Sequence, residues 1–326
     1  MSLPRIVVLG TGGTIAGSAA ASTDPTGYRA ATTGVEQLLE AVPELGTLAR
    51  LSGEQFSQVD SSDMTDAMLI ALATRVEQLA ADDGVDAIVI THGTDTLEET
   101  AYFLHLVGSG AKPVVLVGSM RPPTALSPDG PRNISAAVTV AASREVRGEG
   151  VLVVMNDEIH SARDVTKTSS LRVDSFDSPH GALGVVAGGR VVMYRRLARP
   201  HTGATPFGIP GSLPRSVVLY AHSGLEQLDL AALDGFDVIV HAGFGNATVS
   251  ARLVDALEAA RARGALLVRA SRTGSGTVTL VGASGETVNG WVAVDDQNPQ
   301  RARILASLAL TVTSDPAEVQ RLFHEL

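Results

Sequence analysis

Cysteine is absent from the 326-residue chain. That excludes disulfides, thiolate nucleophiles and zinc sites built on cysteine, and it leaves the compartment open, since cytosol and periplasm both tolerate such a chain. Charge is scarce as well. Charged residues make up 18% of the sequence, against roughly 25% in ordinary soluble domains, which points to surface buried between subunits. Basic residues are outnumbered 25 to 35 for a net charge of −10, and they never gather into a run. A nucleic-acid partner, whose phosphates need a basic face, is therefore disfavoured. No apolar stretch approaches the roughly 18 uninterrupted residues of a membrane-spanning helix. The first apolar run begins near Arg5 with no signal peptide before it, so the expectation is a cytoplasmic or periplasmic protein, with the cytoplasm favoured. Tandem repeats and low-complexity tracts are missing. The 8 histidines form no H-x-x-x-H or H-E-x-x-H pattern, so no metal site is expected and most of them read as satisfied structural groups.

What is present is apolar residue in quantity, 44% of the chain before its 33 glycines are counted, over a length that suggests two domains. Short β-branched runs alternate with longer amphipathic stretches, the pattern of α/β architecture. "RIVVL", "DAIVI", "KPVVLVG" and "GVLVVM" read as buried parallel strands. Residues 64–81 have helical spacing, with Met64, Ala67, Met68 and Ala71 on one face and Asp63 as the cap; Met64, Met68 and Trp291 read as packing. "DTLEETAYFLHLV" and "PRNISAAVTVAASREV" are further helices, the second with Pro131 in its first turn. Residues 199–214, with four prolines and three glycines, read as a linker. The expected organisation is a larger N-terminal α/β domain (1–198), mostly parallel and flanked by helices, then the linker and a smaller C-terminal α/β domain with its own parallel sheet (215–326).

Ligands of open α/β sheets gather outside the carboxyl ends of the strands, and hydroxyls dominate there. The first strand runs into "GTGGTIAG". A dinucleotide-binding G-x-G-x-x-G from Gly10 fails at Ile15, and no acid stands about twenty residues on. A phosphate loop is thus disfavoured against a plain glycine turn or one that delivers a hydroxyl. In "THGTDTLEETA" a strand passes directly into a helix, and its free N–H groups suit an anionic group or a developing oxyanion. N-capping is the simpler account of Asp95 and Thr96, as the helix dipole is of Glu98 and Glu99. Lys167, between two threonines, is by default a surface lysine. Beside Thr94 and Asp95 it would instead make a Thr–Lys–Asp relay comparable to Ser–His–Asp.

Taken together, "TGGTIAG", "SSDM", "THGTDTLEETAYFL", "VLVGSMRP", "DGPRN", "RDVTKT", "AGFGN" and "NPQRAR" give a chain that resembles, along essentially its whole length, the two-domain, threonine-dependent bacterial L-asparaginases of the type II branch. The resemblance implies hydrolysis of an amino-acid side-chain amide without a cofactor or metal. It implies Thr14 as nucleophile, Tyr28 as its helper, and Thr94, Asp95 and Lys167 as the relay. It assigns substrate contacts to Ser61, Ser62, Asp95 and Ser119. It also implies a homotetramer built from tight dimers, in which the small domain of one subunit completes a neighbour's site through Asn246. Ser62 stands where the family often has glutamine. Ala283 falls where a neighbour-supplied glutamate pairs with the helper tyrosine, and Glu286, three residues later, replaces it only if the loop runs differently. The expected substrate is asparagine. A dual-specificity glutaminase-asparaginase and a non-catalytic small-molecule-binding protein are the alternatives.

Overall fold

The structure, a computed structural model, describes residues 2–19, 21–23, 27–225, 229–281 and 290–326. It divides into two compact units, residues 1–204 and 205–326. In the first unit the strands are β1 (Arg5–Gly12), β2 (Ser18–Ala19), β3 (Tyr28–Arg29), β4 (Arg50–Val59), β5 (Ala87–Thr91), β6 (Val114–Val117), β7 (Val151–Met155), β8 (Glu158–Ser161), β9 (Thr166–Lys167), β10 (Phe176–Asp177), β11 (Gly184–Ala187) and β12 (Arg190–Met193). Its helices are α1 (Val35–Glu40), α2 (Asp66–Ala81), α3 (Leu97–Val107) and α4 (Gly130–Ala142).

The main sheet runs β12-β11-β8-β7-β6-β5-β1-β4. From β4 to β7 neighbouring strands are parallel, whereas β8, β11 and β12 are added antiparallel at one edge. Every residue of β5, β6 and β7 is buried, as strands covered on both faces must be. Alternation divides their side chains between two layers. Ile6, Val8, Val89, Val115 and Leu152 join Val35 and Leu38 of α1 and Ile134, Ala137 and Val138 of α4 in one cluster. The intervening Leu9, Ile88, Ile90 and Leu116 are equally buried and face the layer of α2 and α3, which pack on each other and on β5 and β7.

Two local expectations are corrected. Asp63 does not cap α2: it lies in a single turn, Ser61–Asp63, and the cap is Thr65, whose Oγ1 accepts from the Met68 N–H at 3.3 Å. Nor does the core-facing stripe of α2 comprise Met64, Ala67, Met68 and Ala71. Leu69, Leu72, Ala73, Val76 and Leu79 are buried instead, because turning these aliphatic groups inward removes more apolar area from water. Pro131 does occupy the first turn of α4.

The second unit holds β13 (Ser216–Tyr220), β14 (Val238–Gly243), β15 (Leu266–Ser271) and β16 (Val292–Ala293), with helices α5 (Ala251–Ala262), α6 (Pro299–Ala309) and α7 (Pro316–Glu325). Its sheet is parallel throughout, in the order β13-β14-β15-β16. Leu253 and Leu257 of α5 pack with Ile239, Leu267 and Trp291, so Trp291 is a core residue. The chain is thus a two-unit α/β protein with a large, mostly parallel sheet and a smaller parallel one. Among the described residues no helix is long and apolar enough to cross a membrane.

In the first unit β1 has β4 on one side and β5 on the other. The chain leaves β1 for β4 and then crosses to β5, so the connections diverge around the carboxyl ends of β1 and β5. A crevice opens at such a switch point.

Candidate active site

Three segments converge on that crevice, and glycines let them touch. Gly13 follows β1 with φ 80° and ψ −170°, a conformation essentially confined to glycine. A Cβ on Gly13 would lie 2.2 Å from Gly93 Cα, and one on Gly93 would lie 2.6 Å from Ser61 Oγ. The backbones after β1 and β5 are therefore in direct contact, with the Ser61 side chain, after β4, against Gly93, and Thr14, Ser61 and Thr94 sit on or beside the contact points. Thr14 opens a single turn, Thr14–Ala16, and is buried, as are Ser61 and Thr94. Thr11 reinforces the arrangement from below by donating to the Thr91 carbonyl at 2.9 Å.

Hydrogen bonds fix the turn after β5. The Asp95 N–H donates to Ser61 Oγ at 3.2 Å, and the Thr96 hydroxyl donates to the Ser61 carbonyl at 2.8 Å. Thr96 is the N-cap of α3 by position, yet its side chain makes no capping bond. The capping account of Asp95 and Thr96 is thereby replaced, since both side chains are engaged elsewhere. Beneath the turn, His92 is fully buried, with Nδ1 2.7 Å from the Gly93 carbonyl and Nε2 3.0 Å from Thr100 Oγ1. A carbonyl only accepts, so Nδ1 carries the proton and Nε2 accepts from the threonine. Burial pushes the pKa of this imidazole down to about 4, which keeps it neutral.

Lys167 reaches the turn from β9. Its Nζ donates to Thr94 Oγ1 at 2.9 Å and to Asp95 Oδ1 at 2.6 Å. The lysine side chain is 18% exposed and that of Asp95 61%, so the ion pair spans the boundary between interior and solvent. Because Lys167 Nζ donates to the threonine oxygen, the hydroxyl proton of Thr94 is left to point elsewhere. The chemistry available is a buried hydroxyl polarised by a cation, with a second buried hydroxyl, Thr14, on the residue after the Gly13–Gly93 contact.

Ser119 follows β6, is fully buried, and donates to the Arg121 carbonyl at 3.0 Å. Asp129 holds its loop by accepting from the Met120 and Arg121 N–H groups, each at 2.9 Å, while Asn133 Nδ2 donates to the Gly118 carbonyl at 3.0 Å. Ser62 is exposed and bonds Asp60 Oδ1 at 3.1 Å through its hydroxyl. Tyr28 lies on β3, paired with Ala19 of β2. The segment leading towards it is tied to residues 124–126, where the Ala19 N–H donates to Thr124 Oγ1 at 2.8 Å and the Leu126 N–H to the Ser22 carbonyl at 3.1 Å. In the second unit, the Asn246 side chain bonds its own neighbours: Nδ2 donates to Thr279 Oγ1 (2.7 Å) and the Val281 carbonyl (3.3 Å), and Oδ1 accepts from the Thr279 N–H (2.9 Å). Ala283 and Glu286 lie outside the described residues.

The sequence reading passed over Glu98 as a helix-dipole acid. Glu98 is buried, and its Oε2 accepts from the Lys167 N–H and from Thr166 Oγ1, both at 2.7 Å. The signal was available. Apart from Glu98, Glu99, Thr100 and His105, residues 97–107 are aliphatic or aromatic, and a carboxylate on a helix buried nearly all round must find donors.

Comparison with known proteins places the chain in a family. Residues 5–199 match the family described as asparaginase, N-terminal, and residues 216–323 match the glutaminase/asparaginase C-terminal domain. The chain belongs to the asparaginase family. Within the family it is similar to the glutaminase-asparaginase of Pseudomonas fluorescens biotype A, with 46% identity covering 99% of this chain and 91% of that one. It is also similar to L-asparaginase 2 of Escherichia coli K12, at 42% identity over 100% and 94% of the two chains. Among solved structures it superposes on a probable cytoplasmic L-asparaginase from Campylobacter jejuni with a TM-score of 0.94, at 43% identity over 99% of this chain and 100% of that one.

Proposed function

We propose that this protein hydrolyses the side-chain amide of L-asparagine to L-aspartate and ammonia. The observation that carries the reading is the single contact set of Lys167, whose ammonium binds both Thr94 Oγ1 and Asp95 Oδ1 beside the Gly13–Gly93 contact that brings Thr14 to the same turn. Thr14 Oγ attacks the amide carbon, its proton passing to Tyr28, or to the Thr94–Lys167 pair as Thr94 Oγ1 hands its own proton to the departing nitrogen. The ammonium makes the Thr94 hydroxyl more acidic and stabilises its alkoxide. That hydroxyl is therefore suited to protonate the departing nitrogen as ammonia, and later to take a proton from the attacking water while its own returns to Thr14 Oγ as aspartate is released. N–H groups at the Thr94 turn stabilise the oxyanion. Ser61, Ser62, Asp95 and Ser119 bind the substrate's polar ends, and no cofactor takes part. The family places such sites in a homotetramer of tight dimers. On that reading the second unit of one copy, through Asn246, completes the site of another, with the sparse surface charge buried between subunits.

The test is coupled measurement of ammonia release from asparagine, from glutamine and from buffer alone. T14V, T94V and K167M should each lose about 10²–10⁴-fold in kcat on asparagine. Near-full turnover by T94V would overturn the two-threonine scheme, and no release from either amide would leave a non-catalytic binding protein. A second reading, action on both amides, is supported by the similarity to the P. fluorescens protein named glutaminase-asparaginase, and the glutamine arm decides it.

A further inference from the structure

We propose that Glu98 is a positioning residue for Lys167, so that the turn presenting Thr94 and Asp95 also fixes the backbone from which the lysine reaches them. The proposal rests on the reading of Lys167 as part of the relay. Glu98 is 3% exposed, and a carboxylate so placed persists only where donors compensate its lost hydration. One oxygen, Oε2, receives both the Lys167 N–H and the Thr166 hydroxyl at 2.7 Å. Those two residues are the whole of β9, whose ladder partner β10 is also only two residues long. A ribbon of that size supplies little of its own to hold a strand in register.

Lys167 is therefore gripped at both ends from one short stretch of chain. Thr94 and Asp95 take its ammonium, and Glu98, at the start of the same helix, takes its amide. The long, rotamer-rich side chain between them is confined because its two anchors lie within residues 94–98, the turn and first helical turn after β5. The helix dipole alone does not account for this acid. Glu99, beside it in the first turn and only half-buried, already provides a negative charge there, whereas Glu98 is turned inward onto β9.

The proposal is tested by a double-mutant cycle on asparagine hydrolysis, with deuterium exchange as a readout independent of activity. E98A should lower kcat about 10²-fold, the scale expected for displacing a catalytic group by about 1 Å, with KM changed by less than about threefold. E98Q, whose amide oxygen can accept the same two bonds, should recover most of the loss. In a K167M background, E98A should cost nothing further, because Glu98 acts only through the lysine. Deuterium uptake across residues 166–168 should rise in E98A and not in E98Q. An E98A effect that persists at full size without Lys167, or unchanged exchange at 166–168, would overturn the positioning role while leaving the relay intact. A fully active K167M would remove the relay itself and this proposal with it. If E98A does not accumulate as folded protein, E98D, which withdraws the carboxylate by one methylene, carries the same expectations.

Discussion

At the scale of single residues, the site depends on side chains that are absent as much as on those present. Gly13 and Gly93 let two strand ends meet backbone to backbone, and the neighbouring threonines inherit their proximity from that contact. G13A should therefore be costly twice over. The backbone conformation alone costs on the order of 1–3 kcal/mol for any other residue, and the new methyl meets main-chain atoms that cannot swing aside. A urea melt should show the stability loss, and kcat should fall to background even in the fraction that folds. If G13A melts like the parent protein and turns over normally, the turns do not meet as described. Strand-end turn chemistry marked Thr94 and Asp95 as candidates in the sequence, and the family resemblance added Thr14. The sequence could not disclose that Lys167 touches Thr94, which lies 73 positions away, since periodicity and spacing carry no information about contacts at that range. Glu98 was misjudged for a related reason: an acid in a first helical turn has a sufficient local explanation, and only burial reveals the non-local one.

At the scale of elements, loops after successive strands are tied down by side chains from the helix that follows. The clearest case joins β6 to α4. Asp129, the residue before α4, receives two N–H groups from the Ser119 loop, and Asn133, one turn into α4, holds the carbonyl of Gly118. The expected outcome for D129A is a loss of about 1–3 kcal/mol, the cost of stranding partly buried donors, read as a lower urea midpoint at unchanged m-value. Because Ser119 shares that loop, KM for asparagine should rise more than kcat falls. Equal KM in parent and variant would show that the loop keeps its shape without Asp129. Strand positions in the main sheet were legible because fully buried parallel strands read as continuous β-branched runs. The face and cap of α2 were not, since two overlapping apolar stripes cover that segment and the stripe that wins is set by the sheet beneath it.

For the molecule as a whole, four histidines are buried in a neutral state. Burial lowers His92, His160 and His241 to about 4 and His105 to about 3. Both nitrogens of His241 are buried without a hydrogen-bond partner among the described residues, so His241 is an exception to the expectation that most of the histidines are satisfied. Between pH 6.5 and about 4 the unfolded chain binds protons on these rings and the folded chain does not. Stability consequently rises with pH across that window and falls on acidification, by up to about 1.4 kcal/mol per pH unit for each ring. Calorimetry from pH 7 to 4.5 should show a steep decline in Tm, and H241L should flatten it. A Tm independent of pH over that range would mean that the rings are hydrated in the folded protein. The two-unit α/β plan was legible from alternation of runs along the chain. The order of strands was not, because local pattern does not say which side of β1 the next strand joins.

The lack of cysteine has a practical counterpart at Leu126. Leu126 is 74% exposed, and its N–H is bonded to the carbonyl of Ser22 in the segment leading towards Tyr28. In a chain without a native thiol, L126C would be the sole target for a maleimide dye, with no background mutations to clear first. A fluorophore attached there reports the surroundings of Ser22 directly, so substrate addition can be followed in the cysteine-free protein by emission from one known position.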